Sequence, residues 1–132
     1  MYEELFNLTT NFIVLFRKNV KKYNISLSQG LILLSIGAQK KSMTYLSKKL
    51  GLDPSTMTRN ISKLEKKHLV YRERSEEDSR TIFVHQSNKG KETAIQLEKD
   101  IEGELHFSIN NRIQIKDNIH QISWLLEKVN SK

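Results

Sequence analysis

The residues best placed to do chemistry lie in one run, Leu50-Gly51-Leu52-Asp53-Pro54-Ser55-Thr56-Met57-Thr58-Arg59, which reads as a helix stop, a tight turn and a helix start. Gly51 can take a positive φ after a helix that ends at Leu50. Asp53 can accept hydrogen bonds from the first free amides of the next helix, and Pro54 suits its first turn, where no amide is needed. On a wheel of about 100° per residue, Met57, Ile61 and Leu64 share one side and face a core. Ser55, Arg59, Ser62 and Lys66 cluster opposite, flanked by Thr56, Thr58 and Lys63, a face of small hydroxyls and cations without a carboxylate. Such a face can approach phosphates and base edges, and it is also what an ordinary solvated helix presents.

Charge separates the two readings. The chain carries 22 Lys and Arg against 15 Asp and Glu, a net +7. Residues 40–74 hold ten of the cations (Lys40, Lys41, Lys48, Lys49, Arg59, Lys63, Lys66, Lys67, Arg72 and Arg74) and only Asp53, Glu65 and Glu73 among the acids. Twelve of each sign remain elsewhere, so the whole excess sits on the helix-turn-helix and the strand after it, where Arg72 and Arg74 join the candidate contacts. Concentration of charge on the segment with binding geometry points to a polyanion, and double-stranded DNA fits better than a membrane, since no helix combines a cationic face with an exposed aromatic or leucine-rich face over its length.

Other chemistry is disfavoured. The chain has no cysteine, which removes disulfides, thiolate catalysis and thiol redox sensing and suits a reducing cytoplasm. His68, His85, His106 and His120 share no i, i+3 or i, i+4 spacing, so no metal or other cofactor is expected. No serine, histidine or aspartate sits in a strand-to-helix elbow or a Gly-rich phosphate loop, which argues against an enzyme. The start Met1-Tyr2-Glu3-Glu4 lacks a basic flank and apolar run, and the longest apolar stretch, Leu31 to Leu34 with Ile36, is far short of the roughly 20 residues that span a bilayer.

These residues need elements to hold them. Leu5, Leu8, Phe12, Leu15 or Phe16, and Val20 recur at helical spacing, predicting an amphipathic helix over 3–22. Tyr23-Asn24-Ile25-Ser26 ends it, and Ser26 or Ser28 caps a buried helix through Ile36. Residues 37–41 read as a loop, and Ser42 caps a helix from Met43 to Leu50. The helix after Asp53 ends at Lys67, with His68 in the left-handed position that Gly usually fills. Val70–Arg74 and Thr81–His85 are rich in β-branched and aromatic residues and flank a polar run, a hairpin signal. Ser87 or Asn88 caps a long helix carrying Ala94, Leu97, Ile101 and Leu105. After a break near Asn110 and Asn111, a last helix carries Ile115, Ile119, Ile122, Leu126 and Val129.

The reading is one domain over 1–132, mainly α with a small β-hairpin. A winged helix-turn-helix over 25–90 is flanked by N- and C-terminal dimerisation helices at 1–24 and 100–132. The end helices either pack on the core of their own chain or pair with a second copy, and symmetric pairing is the commoner solution. Trp124, Tyr2, Phe6, Phe16 and Tyr23 either line a cavity for an aromatic effector or serve as core and interface residues.

Several strings carry a resemblance: Leu27-Ser28-Gln29, Leu46-Ser47-Lys48-Lys49-Leu50 with the run to Arg59, Ile61 to Leu64-Glu65-Lys66-Lys67, Leu69-Val70, and Asp78-Ser79-Arg80. In order and spacing they are similar to the multiple-antibiotic-resistance regulator (MarR) family of bacterial and archaeal winged-helix repressors. The resemblance implies a homodimer that sets two recognition helices in successive major grooves and two wings over adjacent minor grooves, under control of a small molecule or another signal. It implies that Ser55, Thr56, Thr58 and Arg59 contact bases and phosphates, that Arg80 is the wing arginine, and that Asp78 steadies it. Some relatives bind zinc on the long helix through a carboxylate and two histidines, whereas here Glu104 and His106 meet only Asn110 four residues on. Five positions depart from the family pattern: His68 for Gly, Gln86-Ser87 for Leu-Thr, and the acidic Glu76-Glu77 at the wing tip. The competing functions are a winged helix used for protein docking and a nonspecific nucleoid-type DNA binder.

Overall fold

The computed structural model describes residues 1–105 and 111–132, so His106 and Asn110 lie outside the described residues. Helix α1 (Tyr2–Val20) runs into a 3₁₀ turn at Lys21–Tyr23, and Asn24, at φ 57°, reverses the chain. Helix α2 (Leu27–Ile36) begins at Ser26, not Ser28. The Gln29 amide donates to Ser26 Oγ and the Ser26 amide donates to Gln29 Oε1, both at 3.2 Å, a reciprocal cap that only Ser26 can make with Gln29. Ile32, Leu33 and Ile36 are fully buried, as the apolar run requires.

The expected loop over 37–41 is shorter than predicted. Lys41–Ser42 form strand β1, pairing antiparallel with Val84 and Phe83. Two residues carry no periodicity, and the partner strand lies 40 residues away, so this strand has no local signature. Helix α3 (Met43–Leu50) starts at Ser42, and Gly51, at φ 64°, turns the chain into α4 (Pro54–Lys66). Met57, Ile61 and Leu64 are fully buried, each contributing about 1.5–3 kcal/mol of apolar transfer.

Helix α4 stops as the sequence predicts. The His68 amide donates to Glu65 O at 2.9 Å and the Leu69 amide to Leu64 O at 3.0 Å, with His68 at φ 61° in the left-handed position. Strands β2 (Val70–Arg74) and β3 (Ile82–Gln86) follow, in sheet order β1-β3-β2. Strand β3 begins one residue later than expected because the Thr81 amide closes the wing turn onto Asp78 O at 2.9 Å.

Ser87 caps α5 (Asn88–Glu104), accepting the Gly90 amide at 3.0 Å and donating to His68 O at 2.6 Å. Gly90 is required at this crossing, since a Cβ there would lie 1.9 Å from the Leu69 carbonyl oxygen. Ala94, Leu97 and Ile101 carry α5 into the core. Gln86 is a buried polar exception. Its Nε2 donates at 2.8 Å to Leu33 O, one of the last four carbonyls of α2, which have no partner within the helix.

A polar joint ties α1 to α5. Buried Asn19 donates to Glu104 Oε2 at 2.8 Å and accepts from Lys22 at 3.1 Å, Lys18 pairs with Glu104 at 2.9 Å, and Tyr23 donates its hydroxyl to Asp100. These contacts hold the Glu104 and Asp100 carboxyls below their ordinary ranges, chiefly through Asn19 and Tyr23. Desolvation, with Asp100 beside it, pushes the Tyr23 hydroxyl up to about 12. Helix α6 (Arg112–Asn130) buries none of its residues, and Ile113, Ile119, Trp124, Leu125 and Val129 lie exposed, as do Phe6, Leu8 and Phe12 on α1.

Candidate nucleic-acid interface

The reading end of α4 is organised by its cap. The Asp53 carboxylate accepts the Ser55 hydroxyl at 2.7 Å, the Thr56 amide at 2.8 Å and the Thr56 hydroxyl at 2.8 Å. The Ser55 hydroxyl first, then the Thr56 amide, hold it ionised well below the usual carboxylate range. Ser55 and Thr56 thus spend their protons inside the cap and offer outward lone pairs. Thr58 donates its hydroxyl to Pro54 O at 2.9 Å, and the Arg59 guanidinium reaches Thr56 Oγ1 at 3.3 Å. A chain of bonds from Asp53 through Thr56 therefore orients Arg59, which is exposed.

The remaining candidates divide. Lys63 and Lys66 are exposed on α4, without an ion pair among the described residues. Ser62 is half-buried and accepts from Arg72 at 3.3 Å, and Arg72 also pairs with Glu65 at 2.5 Å. Arg72 therefore fastens β2 to α4 instead of projecting as a free cation. Arg74 donates to Ser79 O and closes the wing loop on itself. Asp78 Oδ1 accepts the Arg80 amide at 3.0 Å and Arg80 Nε at 3.3 Å, yet the Arg80 side chain remains 91% exposed at the wing tip, with Glu76 and Glu77 exposed nearby.

One cation outside the predicted set belongs to this surface. Lys48 is exposed on the last turn of α3 and lines a 560 Å³ cleft with Gly51, Asp53, Pro54 and Thr58. The clustering of charge contained it, but its place beside Thr58 comes from the angle between α3 and α4, which spacing along one helix does not reveal. Lys40 and Lys41 are otherwise engaged: Lys40 pairs with Glu73 at 3.5 Å, and Lys41 donates to Ile36 O and Gln39 O at 3.0 Å each. The outer sheet face stacks Tyr71 on His85 at 4.6 Å, with His85 Nε2 buried, unbonded, and 3.6 Å from Glu73.

The aromatic residues do not share one cavity. Phe16 is in the core, Tyr23 is in the polar joint, Tyr2 packs on Phe6, and Trp124 is exposed beneath Lys128. Among the described residues no three His, Asp or Glu side chains gather as a metal site, and no helix is long and apolar enough to cross a membrane.

The sequence profile of the family described as transcriptional regulator SarA/Rot matches residues 14–97, from the second half of α1 into α5. The chain belongs to the SarA/Rot family. That membership makes it a transcriptional regulator and not an enzyme. It is 28% identical over 104 residues to the HTH-type transcriptional regulator SarZ of Staphylococcus saprophyticus, spanning 76% of this chain and 71% of SarZ. Matches to SarZ of Staphylococcus epidermidis and MgrA of Staphylococcus aureus span half the length of those proteins.

Among solved structures, a MarR transcriptional regulator from Methanosarcina mazei superposes with a TM-score of 0.80 at 23% identity, covering 96% of this chain and 99% of that one. Reduced AbfR bound to DNA superposes at 0.77 with 21% identity, covering 96% and 89%. The SarA/Rot chain thus has the winged-helix fold of MarR regulators, as its sequence strings suggested. AbfR has also been solved overoxidised and with a disulfide formed, whereas these 132 residues contain no cysteine.

Proposed function

We propose that this SarA/Rot regulator binds double-stranded DNA sequence-specifically as a homodimer and represses transcription from an inverted-repeat operator in the cytoplasm. The carrying observation is the end of α4, where Asp53 fixes Ser55, Thr56 and Arg59 on an exposed cationic face with Arg80 projecting from the wing. Arg59 reads guanine in the major groove. Lys48, Lys63 and Lys66 meet phosphates, the outward lone pairs of Ser55 and Thr58 accept from base amino groups, and Arg80 enters a narrow minor groove. Arg72, Arg74 and Asp78 position the strand and wing that present these groups. The structures of AbfR and of Streptococcus pneumoniae FabT bound to DNA support this reading.

Dimerisation is carried by the exposed apolar residues of α1 and α6, because a single chain leaves Phe6, Phe12, Ile119, Trp124 and Leu126 in water. A two-fold pairing of these helices covers both stripes at once.

Fluorescence anisotropy with duplex DNA from upstream of the chain's own gene, against a scrambled duplex, tests the reading. Specific binding must exceed scrambled binding and fall by about 10³–10⁵ between roughly 50 and 200 mM salt if six to ten phosphates are contacted. Equal binding to both duplexes would indicate a nonspecific nucleoid-type protein, and weak, salt-insensitive binding a docking module. Light scattering at micromolar concentration must give twice 15.5 kDa.

A further inference from the structure

The end of α4 remote from the reading residues closes a separate cavity of about 370 Å³, between the 3₁₀ turn, the α4–β2 junction and the first turns of α5. Lys66, Lys67, Lys89 and His68 line it, with Tyr23 and Leu69 adding aromatic and apolar wall and no carboxylate among the lining residues. None of the three lysines forms an ion pair among the described residues. Lys67 donates to Asn24 O, and Lys89 donates at 3.1 Å to Lys67 O. Among the described residues, Lys67 and Lys89 are therefore met only by neutral carbonyls. Glu65 and Asp100, on the same elements, are engaged by Arg72 and Tyr23.

Stabilising the exposed carbonyls of a helix end explains one ammonium, not three converging on one concavity. The cations are all lysines, compact point charges that suit a multivalent phosphate group, whereas a planar carboxylate is better met by the arginine fork. The volume lies within the range of small-molecule sites, about 300–1,000 Å³, and leaves room for an organic portion against Tyr23 and Leu69.

We propose that this cavity binds a small ligand bearing a di- or triphosphate group, held by Lys66, Lys67 and Lys89. The phosphate oxygens compete with the Asn24 and Lys67 carbonyls for the same ammonium groups. Occupancy is thereby linked to the seating of α4 against α1 and α5, and so to operator affinity. Only this last step rests on the DNA-binding function proposed above; the binding measurement needs no DNA, so the two can fail separately.

The test is calorimetric titration of the full chain with tripolyphosphate at constant ionic strength. The parent must bind one equivalent per chain, and Lys66→Gln with Lys89→Gln must weaken binding by about tenfold. Arg59→Gln with Lys48→Gln, which removes the same charge from the reading end of the helix-turn-helix, must leave it unchanged. Loss in the second pair instead, absence of saturable binding, or tighter binding of benzoate than of tripolyphosphate overturns the proposal. If circular dichroism shows the Lys66/Lys89 variant unfolded, amide shifts of the parent decide: perturbation at His68, Leu69 and Thr93 supports the site, and perturbation confined to Ser55–Arg59 and the wing overturns it.

Discussion

Met57 and Arg59 lie two residues apart on α4, and truncating them must produce opposite phenotypes. Met57 is fully buried, so Met57→Ala loses transfer energy and leaves a cavity, about 2–5 kcal/mol. A domain of this size loses roughly 3–5 °C of melting temperature per kcal/mol, so a drop of about 6–25 °C is expected. Arg59 is exposed and makes one long hydrogen bond to Thr56 Oγ1, so Arg59→Ala changes stability by less than about 0.5 kcal/mol. Its cost falls on binding: a lost bidentate guanine contact is worth about 1–3 kcal/mol, or roughly 5- to 150-fold in affinity. Arg59→Lys separates charge from geometry, because the ammonium keeps the phosphate attraction and loses the fork. Thermal melts, with anisotropy on operator and scrambled duplexes, read all three variants. Arg59→Ala melting as low as Met57→Ala, or Arg59→Lys keeping the parent's ratio of specific to scrambled affinity, would refute the placement of Arg59.

Gln86→Leu is expected to destabilise by about 1–3 kcal/mol despite added apolar burial, because Leu33 O is left unpaired beneath the sheet; a melt at or above the parent's would show that water reaches that carbonyl. The α1–α5 joint gives a pH signature. The lowered Asp100 and Glu104 stabilise fully above the ordinary carboxylate range and lose this as pH falls through it, while the raised Tyr23 stabilises below pH 10 and loses this as pH rises toward about 12. Melts from pH 3 to 11.5 must therefore show the gap between parent and Tyr23→Phe closing above pH 10, and a constant gap contradicts the linkage. Arg80→Ala should weaken operator binding and flatten A·T preference beside the half-sites, Asp78→Ala less so, while Glu76→Gln with Glu77→Gln strengthens binding without adding specificity; footprints indifferent to both flank and mutation would place the wing off the DNA. Gly103→Ala, with no atom within 4 Å of the new Cβ, should stabilise α5 by up to about 1 kcal/mol, whereas Gly90→Ala must destabilise it against Leu69 O; two melts of the same sign would dismiss that crossing.

What the sequence made legible is what is local. The caps at Ser42, Asp53 and Ser87, the left-handed turns at Gly51 and His68, and the burial of Met57, Ile61 and Leu64 each follow from residues within one or two helical turns. What it hid is pairing across distance. Strand β1 exists because Lys41 and Ser42 meet Val84 and Phe83, and Gln86 is buried because Leu33 needs a donor. Within the candidate site the same division holds: spacing put Arg59 on the exposed face, but nothing along the chain shows that Arg72 is held by Glu65 and Ser62 or that Arg74 turns inward to Ser79. Net charge counted ten cations in residues 40–74, and it is the partners supplied by folding that separate those free to meet a polyanion from those already spent.

The lack of cysteine constrains how such a regulator can be controlled. AbfR has been solved in reduced, overoxidised and disulfide forms, a chemistry these 132 residues cannot reproduce. The control proposed above would act through noncovalent contacts of α4, which rests on the core through Met57, Ile61 and Leu64 and is joined to the elements behind it by a set of contacts at its C-terminal junction. They are the Asn24–Lys67 and Lys67–Lys89 bonds, the Ser87 hydroxyl on His68 O, and the close passage of Gly90 over Leu69. All converge on three residues, Lys67, His68 and Leu69, just after the C-terminal end of the recognition helix. Backbone already meets backbone at Gly90, so a ligand that shifted α5 would be expected to move the Lys67–Leu69 segment with it. Because the Asp53 cap and Arg59 belong to that same helix, a rigid rotation of α4 is the route by which such a movement is expected to reach the reading residues.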